Sequence, residues 1–220
     1  MRFADEAIHK PGSMPELAFA VEGAERVEHA AVPTLRFDLR VDSPDARQIR
    51  SVLLDVRVQI AARRRPYGPE AHERLFELFG PVADWGTTLR TLPWVRTTVV
   101  VPAFSGSTRA RLDVPCSYDL EVAASRYFAA LDDGEVPLEF LFSGTVFYGE
   151  PLEAGRIAWE SEAGFRLPVW LWKETMERYF RGTSWLRLSQ ASFNRLAAYK
   201  ARRALASWDE AIEALLEDES

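Results

Sequence analysis

The stretch that decides the fold is RARLDVPCSYDLEV, residues 109–122, followed by VPLEFLFSGTVFY, residues 136–148. In the first segment every second residue from Ala110 to Val122 is apolar, and charged or hydroxyl residues fill most positions between them. This period of two predicts a strand with one buried face. The second segment is apolar at both odd and even positions, so it predicts a central strand that is covered on both faces.

Working outward, the same alternation predicts further strands over residues 17–21, 35–41, 52–60, 93–101 and 156–167. Residues 22–24 offer a turn or a bulge after the first of these. The strands 35–41 and 52–60 are expected to be adjacent, each with one wet face. Helical spacing predicts short helices over residues 69–79 and 123–131, and Trp85 is placed in a loop between two of these elements.

The period changes after Pro168 to that of helices, over residues 169–180, 189–205 and from the capping box at 207–210 onward. We therefore predict an α+β fold, in which an antiparallel β-sandwich-like sheet is followed by a C-terminal three-helix segment. A partial barrel or an open layer under helices stays an alternative. The expected domains are a disordered tail (1–14), a β-rich domain (15–167) and helices packed on that domain (168–220).

Composition restricts the class of protein. With 220 residues, 47% of them hydrophobic, the chain is long enough to bury a substantial core. The net charge of −6 disfavours nucleic acid as a partner, because it repels the phosphate backbone. A single cysteine and the lack of a leader-like segment favour the cytoplasm. No window reaches the roughly 20 apolar residues of a membrane span.

The residue patterns do not predict a catalytic, cofactor or metal site. His9, His29 and His72 are not at metal-ligand spacing, and Cys116 has no partner for a CxxC motif. Cys116 lies at an inward position of its strand, which favours a small buried side chain over a reactive thiol. The glycines at 106 and 144 lack the lysine or the glycine pattern of a phosphate loop.

Clustered charge and aromatic residues at loops and strand ends predict a surface for a protein partner instead. The candidates are the basic run and three aromatic residues: Arg63, Arg64, Arg65, Trp85, Trp94 and Phe104. The alternative for the arginines is a solvated strand end, and the alternative for the tryptophans is a seam between helices and sheet. Trp170 and Trp172 are two positions apart on one predicted helix, so one of them is expected to be exposed.

The leading functional hypothesis is a non-enzymatic accessory or interaction protein. The rival hypothesis is a small-molecule-binding or hydrolytic protein with a pocket between the sheet and the C-terminal helices. Its acid–base pair is expected among four residues on the two deciding strands: Asp119, Glu121, Glu139 and Tyr148. A structural subunit of a larger assembly is a third hypothesis, which differs from the first in how permanent the contact is.

Several segments carry a resemblance to a known family: Pro15 to Phe19, Trp85 to Leu89, Phe104 to Thr108, Val114 to Tyr148 and Trp185 to Leu188. The sequence resembles an actinobacterial family of about this length that has no established activity. Genes of that family are associated with clusters for nickel–iron hydrogenases and their accessory proteins. The resemblance implies an accessory role, with a hydrogenase component or its precursor as the partner, and it implies no catalytic residue.

Overall fold

The computed structural model describes residues 14–44, 47–117, 119, 122–158, 161–183 and 187–217. The chain divides into two compact units, Met1–Thr183 and Ser184–Ser220. Apart from Met14, the predicted disordered tail lies outside the described residues.

The described part of the first unit contains eight strands in two antiparallel sheets. They are β1 (Ala18–Arg26), β2 (Thr34–Asp42), β3 (Ile49–Ile60), β4 (Leu92–Val101), β5 (Ser107–Pro115), β6 (Glu135–Tyr148), β7 (Glu153–Arg156) and β8 (Glu162–Pro168). One sheet has the order β1-β2-β5; the other has the order β4-β3-β6, and both β7 and β8 pair with the far side of β6. Such crossed neighbours are typical of Greek-key sandwiches, so the predicted α+β class with sandwiched antiparallel sheets is confirmed.

Helices fill the connections and follow the last strand. Those of the first unit are α1 (Pro69–Arg74), α2 (Phe76–Phe79), α3 (Trp85–Thr88), α4 (Ala123–Ala129) and α5 (Val169–Phe180), with single 3₁₀ turns at Ala62–Arg64 and Val82–Asp84. Those of the second unit are α6 (Gln190–Arg202) and α7 (Trp208–Glu217). None of the described helices is long and apolar enough to span a membrane.

The core lies between the two sheets, where the apolar faces of their strands meet. Phe37 on β2 is fully buried and its ring meets aromatic rings from three strands of the opposite sheet: Trp94, Phe140 and Phe165, with centroids 6.2, 5.2 and 5.8 Å away. Near one edge, Phe19 stacks on Phe142 at 4.3 Å. Because the inner residues of each strand alternate with polar outer residues, the period of two in the sequence is explained by one sheet covering the other.

The predicted central strand is confirmed. β6 is 14 residues long and pairs with β3 along its length, while β8 and then β7 occupy its other side. Gly144 lies opposite Leu54 in this ladder with a φ of +144°. A Cβ atom there would be 2.1 Å from the carbonyl oxygen of Leu53, so this position requires glycine.

The predicted adjacency of strands 35–41 and 52–60 is wrong. β2 pairs with β1 and β5, whereas β3 pairs with β4 and β6, so the two strands belong to opposite sheets. Alternation alone does not show whether two strands are paired in one sheet or face each other in two sheets. In both arrangements each strand buries the same residues. The bulge predicted near residues 22–24 is present, as the register of β1 shifts between Val21 and Gly23.

Two further predicted boundaries are wrong. The strand that begins near Arg109 ends at Pro115 and does not reach Val122. The chain then turns toward α4, with the Ser125 hydroxyl donating to the Ser117 carbonyl oxygen at 2.6 Å. The predicted strand 156–167 is also two separate elements, since β7 ends at Arg156 and β8 begins at Glu162.

Helix α5 has the predicted bounds, and its two tryptophans are in opposite environments. Trp172 is 4% exposed and stacks on Phe128 of α4 with a centroid distance of 5.2 Å, whereas Trp170 is 61% exposed. The expectation that one of the two faces solvent is confirmed. Helix α5 contacts β1, β2 and β8, so it belongs to the sandwich unit.

The second unit is a helical hairpin with both helix starts capped. The Ser189 hydroxyl accepts the N–H of Ser192 at 3.1 Å, and the Ser207 hydroxyl accepts the N–H of Glu210 at 3.0 Å. The Glu210 carboxylate in turn accepts the N–H of Ala206 at 2.8 Å. The serine half of the predicted capping box is therefore present, whereas the glutamate binds the N–H of Ala206 and not that of Ser207.

Candidate protein-interaction site

The candidate site is the free side of β4, an edge strand of the larger sheet. In the described residues, β4 pairs with β3 and with no other strand. An antiparallel strand directs about half of its N–H and C=O groups to each side. The side of β4 opposite β3 therefore presents a row of backbone donors and acceptors for another strand.

The side chains of β4 suit pairing and do little to prevent it. Residues 97–101 are all β-branched, and Arg96 is the one charged residue of the strand. The Arg96 guanidinium is held in a bidentate contact by Asp55, with N–O distances of 2.8 to 3.0 Å, so the carboxylate largely neutralises its charge. The hydrogen bonds that Arg96 donates to the Asp55 carboxylate raise the pKa of its guanidinium.

An exposed apolar pair lies on the outer face beside this edge. Val100 of β4 is 66% exposed, and Leu53 of β3, its partner in the register, is also exposed. Thr98 is the next outward residue on β4. The surface formed by Leu53, Thr98 and Val100 with the free backbone of residues 96–101 is called the β4 edge below.

The other sheet edges are better protected. β5 presents Arg109, Arg111 and Asp113, of which Arg109 pairs with Glu22 at 2.9 Å and Asp113 pairs with Arg36 at 2.7 Å. β1 carries a bulge, and β7 has only four residues. β8 carries Glu162 and Arg166. Charges, bulges, prolines and short length are the usual protection against strand addition. β4 itself has a register shift at Trp94 and a proline at 93, so the unprotected part of this edge is residues 96–101.

The residues before β4 hold its beginning in place. Arg63 donates to the carbonyl oxygens of Leu89 and Gly86, the latter at 3.2 Å, and so fixes the segment that leads into the strand. Trp94 fills the space between the sheets and α4, with its ring 5.0 Å from that of Phe128. Arg63 and Trp94, both predicted site residues, therefore hold the beginning of β4 in place from within the fold.

Trp85 and Phe104 are buried, so the expectation that these rings are exposed is wrong. Trp85 begins α3 instead of lying in a loop; it is 9% exposed, and its Nε1 donates to the Gly80 carbonyl oxygen at 3.0 Å. Phe104 is 8% exposed, and its backbone exchanges hydrogen bonds of 3.0 and 2.9 Å with Ile49. Large apolar rings in connections are covered here because they close the ends of the sandwich core.

Arg64 and Arg65 lie together but away from the β4 edge. Arg64 pairs with Glu139 at 2.8 Å. Arg65 donates to the carbonyl oxygens of Asp133 and Glu135 at 2.9 and 3.1 Å, and its guanidinium lies over the Tyr67 ring. The basic run is thus divided, since Arg63 supports β4, Arg64 pairs with a glutamate within β6, and Arg65 binds the backbone at the start of β6.

Of the four predicted acid–base residues, Glu139 and Tyr148 are engaged in other contacts, and the backbone N–H of Asp119 donates to the Ser117 hydroxyl at 3.0 Å. Glu139 accepts hydrogen bonds from Arg64 and from Gln59, both at 2.8 Å. Tyr148 is buried under the guanidinium of Arg47, and Glu121 lies outside the described residues. A groove of about 450 Å³ on α5 does not include them; it is lined by Ala129, Trp172, Lys173, Glu174, Met176, Glu177 and Phe180.

The histidines stay apart where they are described. His29 is exposed in a loop, His72 packs edge-on against Trp85 at 4.9 Å, and His9 lies outside the described residues. No group of three or more metal-ligating side chains is present in the part of the chain that the structure covers.

Cys116 is buried, and burial raises the pKa of its thiol to about 12. At pH 8 we expect the native thiol to react with iodoacetamide about a thousand times more slowly than in urea, because the thiolate fraction falls tenfold for each unit of pKa. The rate of alkylation followed by mass spectrometry checks this. Equal rates in the native and unfolded protein would contradict the burial of Cys116.

The β4 edge was not predicted as a site from the sequence. Its signal is nevertheless present in residues 96–101, where five β-branched residues follow a single charge. That composition is the same for a covered strand and an open one, so only the sheet order identifies the edge.

Comparison with known proteins gives a family and no activity. The model of a family described as "Family of unknown function (DUF6084)" matches residues 14–220. No curated protein matches the sequence significantly.

Solved structures with some likeness are distant. A Bordetella pertussis protein assigned as ApaA is 10% identical with a TM-score of 0.31, and the match covers 70% of this chain and 93% of that one. β-Glucosidase 3B from Thermotoga neapolitana is 12% identical with a TM-score of 0.26, and a Kluyveromyces marxianus β-glucosidase is 9% identical with a TM-score of 0.23. The matches cover 69% of this chain but only 17% and 15% of the two enzymes.

Proposed function

We propose that this chain, which belongs to the family of unknown function DUF6084, is a non-enzymatic accessory protein that binds a partner protein by strand addition at the β4 edge. The observation that supports it is the open side of β4, a ten-residue strand with one matched charge and an exposed apolar residue. An added strand would satisfy the outward backbone groups of residues 96–101.

The partner segment has a defined chemistry in this proposal. It is extended, and its alternate side chains lie beside Thr98 and Val100 on the outer face, where apolar or β-branched residues fit best. A carboxylate opposite Arg96 is less favoured, since Asp55 already holds that guanidinium. The resemblance described above favours a hydrogenase component or its precursor as the owner of this segment, and the single cysteine favours the cytoplasm as the place to look for it.

The test is affinity purification of the tagged full chain from its native cells, with and without substitutions at the edge. We expect Thr98→Lys together with Val100→Lys to lower partner recovery at least tenfold, because two lysines on an edge strand oppose pairing. Leu152→Lys is the matched control, since Leu152 is also 66% exposed but lies outside β4.

Circular dichroism of each variant confirms that the sandwich is intact. The expected result is a stoichiometric partner with the wild type and Leu152→Lys, and its loss with the double variant. Equal recovery with the double variant would overturn the assignment of the β4 edge. Alanine substitution of Trp85 or Phe104 is a poorer test, because both side chains are buried and their loss would disturb the fold.

A further inference from the structure

The helical hairpin of the second unit leaves large apolar side chains uncovered. Ala211 is the one fully buried residue within 187–217. Four larger apolar side chains remain 40% to 43% exposed: Phe193, Trp208, Ile212 and Leu215. A hairpin of two short helices has little core of its own, and its stability depends on packing of these faces.

A groove on the hairpin includes one of these exposed side chains, Leu215. It has a volume of about 510 Å³ and is lined by Ser192, Arg195, Leu196, Ala198, Tyr199, Arg202 and Leu215. Leu196 and Leu215 give it apolar walls from both helices, while Arg195 and Arg202 add two positive charges. These arginines are seven positions apart, which is about 10.5 Å along an α-helix.

The two helices carry opposite charges. Residues 187–203 contain five basic residues and no acidic one; the basic residues are Arg187, Arg195, Lys200, Arg202 and Arg203. Helix α7 contains four acidic residues and no basic one; they are Asp209, Glu210, Glu213 and Glu217. A partner helix that suits the groove must be apolar with an acidic side, and α7 itself has this composition.

The spacing of the charges on α7 also fits the groove. Asp209, Glu213 and Glu217 are four positions apart and share one side of the helix, over about 12 Å. Ile212 lies next to this acidic stripe, on the exposed part of the apolar face. A copy of α7 could thus place Ile212 between the apolar walls and its carboxylates near Arg195 and Arg202.

We infer that the hairpin is a self-association module that a second copy of this chain covers. Helix α7 of each copy lies in the groove of the other, where Ile212 of one copy packs between Leu196 and Leu215 of its partner copy. The arrangement is isologous, because the same groove and the same helix serve on both sides. It is independent of partner binding at the β4 edge, and either proposal stands or fails alone.

The test uses two charge-reversed full-length variants in sedimentation velocity at up to about 100 μM, a range suited to micromolar association. One variant carries Arg195→Glu and Arg202→Glu; the other carries Glu213→Lys and Glu217→Lys. We expect the wild type to dimerise, each variant alone to associate at least tenfold more weakly, and an equimolar mixture to recover a heterodimer. In the mixture, both interfaces again join opposite charges.

Glu177→Lys on α5 is the control and should leave dimerisation unchanged. A monomeric wild type would overturn the inference, and so would variants that dimerise as the wild type does. A mixture that stays monomeric would also overturn it. Recovery in the mixture shows in addition that both variants are folded, because an unfolded hairpin would not regain association.

Discussion

Gly144→Ala is expected to destabilise the protein by about 4 kcal/mol or more, a large fraction of the roughly 5–15 kcal/mol by which most domains are stable. The new Cβ atom would lie 2.1 Å from the carbonyl oxygen of Leu53, which belongs to the ladder between β6 and β3. Neither strand has room to move, because β6 is paired on both sides and lies over the core. The φ of +144° adds backbone strain for any residue with a side chain.

Urea unfolding followed by circular dichroism measures this loss. Gly164→Ala is the matched control, since a Cβ atom there would be 3.9 Å from the Leu138 carbonyl oxygen. Gly164 also pairs with β6, so both substitutions affect the same sheet. We expect the control to change the free energy of unfolding by less than about 1 kcal/mol. A Gly144→Ala variant with the wild-type midpoint would contradict the described register of β3 and β6.

Phe37→Ala is expected to lower the free energy of unfolding by about 3–5 kcal/mol. The Phe37 side chain is 0% exposed, because it lies between the two sheets. Its ring meets Trp94, Phe140 and Phe165, so truncation leaves a cavity that rigid strands on both sides prevent from closing.

Two further variants separate the sandwich contact from a general effect of losing an aromatic ring. Phe37→Leu keeps most of the volume and should cost about 1–2 kcal/mol. Phe76→Ala removes a ring that is 57% exposed on α2 and should cost less than about 1 kcal/mol. If Phe37→Ala unfolded at the same urea concentration as Phe76→Ala, the two sheets would not share the described core.

Local patterns predicted the strands because each has one face in the core. The alternation in β2 and β3 follows directly from the cover that the opposite sheet gives. The same pattern did not predict which strands share a sheet, since pairing depends on contacts between distant residues. The ends of strands were also harder to predict; β5 ends at Pro115 although the alternation continues in the sequence.

The candidate site was predicted only indirectly. Arg63 and Trp94 were chosen as surface residues, and they instead support the beginning of β4. Composition indicates that a large aromatic residue needs a partner, but it does not distinguish a neighbour in the same chain from one in another protein. Thr98 and Val100 were missed because the sequence of an open edge strand resembles that of a covered one.

The β4 edge and the hairpin both expose groups that are normally covered in a folded protein. An open strand exposes backbone hydrogen-bonding groups, and an open helical face exposes apolar area. The strand requires an extended segment with matching hydrogen bonds, whereas the hairpin requires a helix with an acidic side. The two surfaces therefore have distinct partners in this account, and substitutions in one should leave binding at the other unchanged.

Hydrogen exchange of the purified complex tests binding at the β4 edge most directly. In the free protein, the amides of residues 96–101 that point away from β3 are expected to exchange rapidly, since no described strand pairs with that side. Partner binding should slow their exchange at least tenfold and leave β5 unchanged. A stoichiometric complex in which these amides exchange as fast as in the free protein would contradict strand addition at β4.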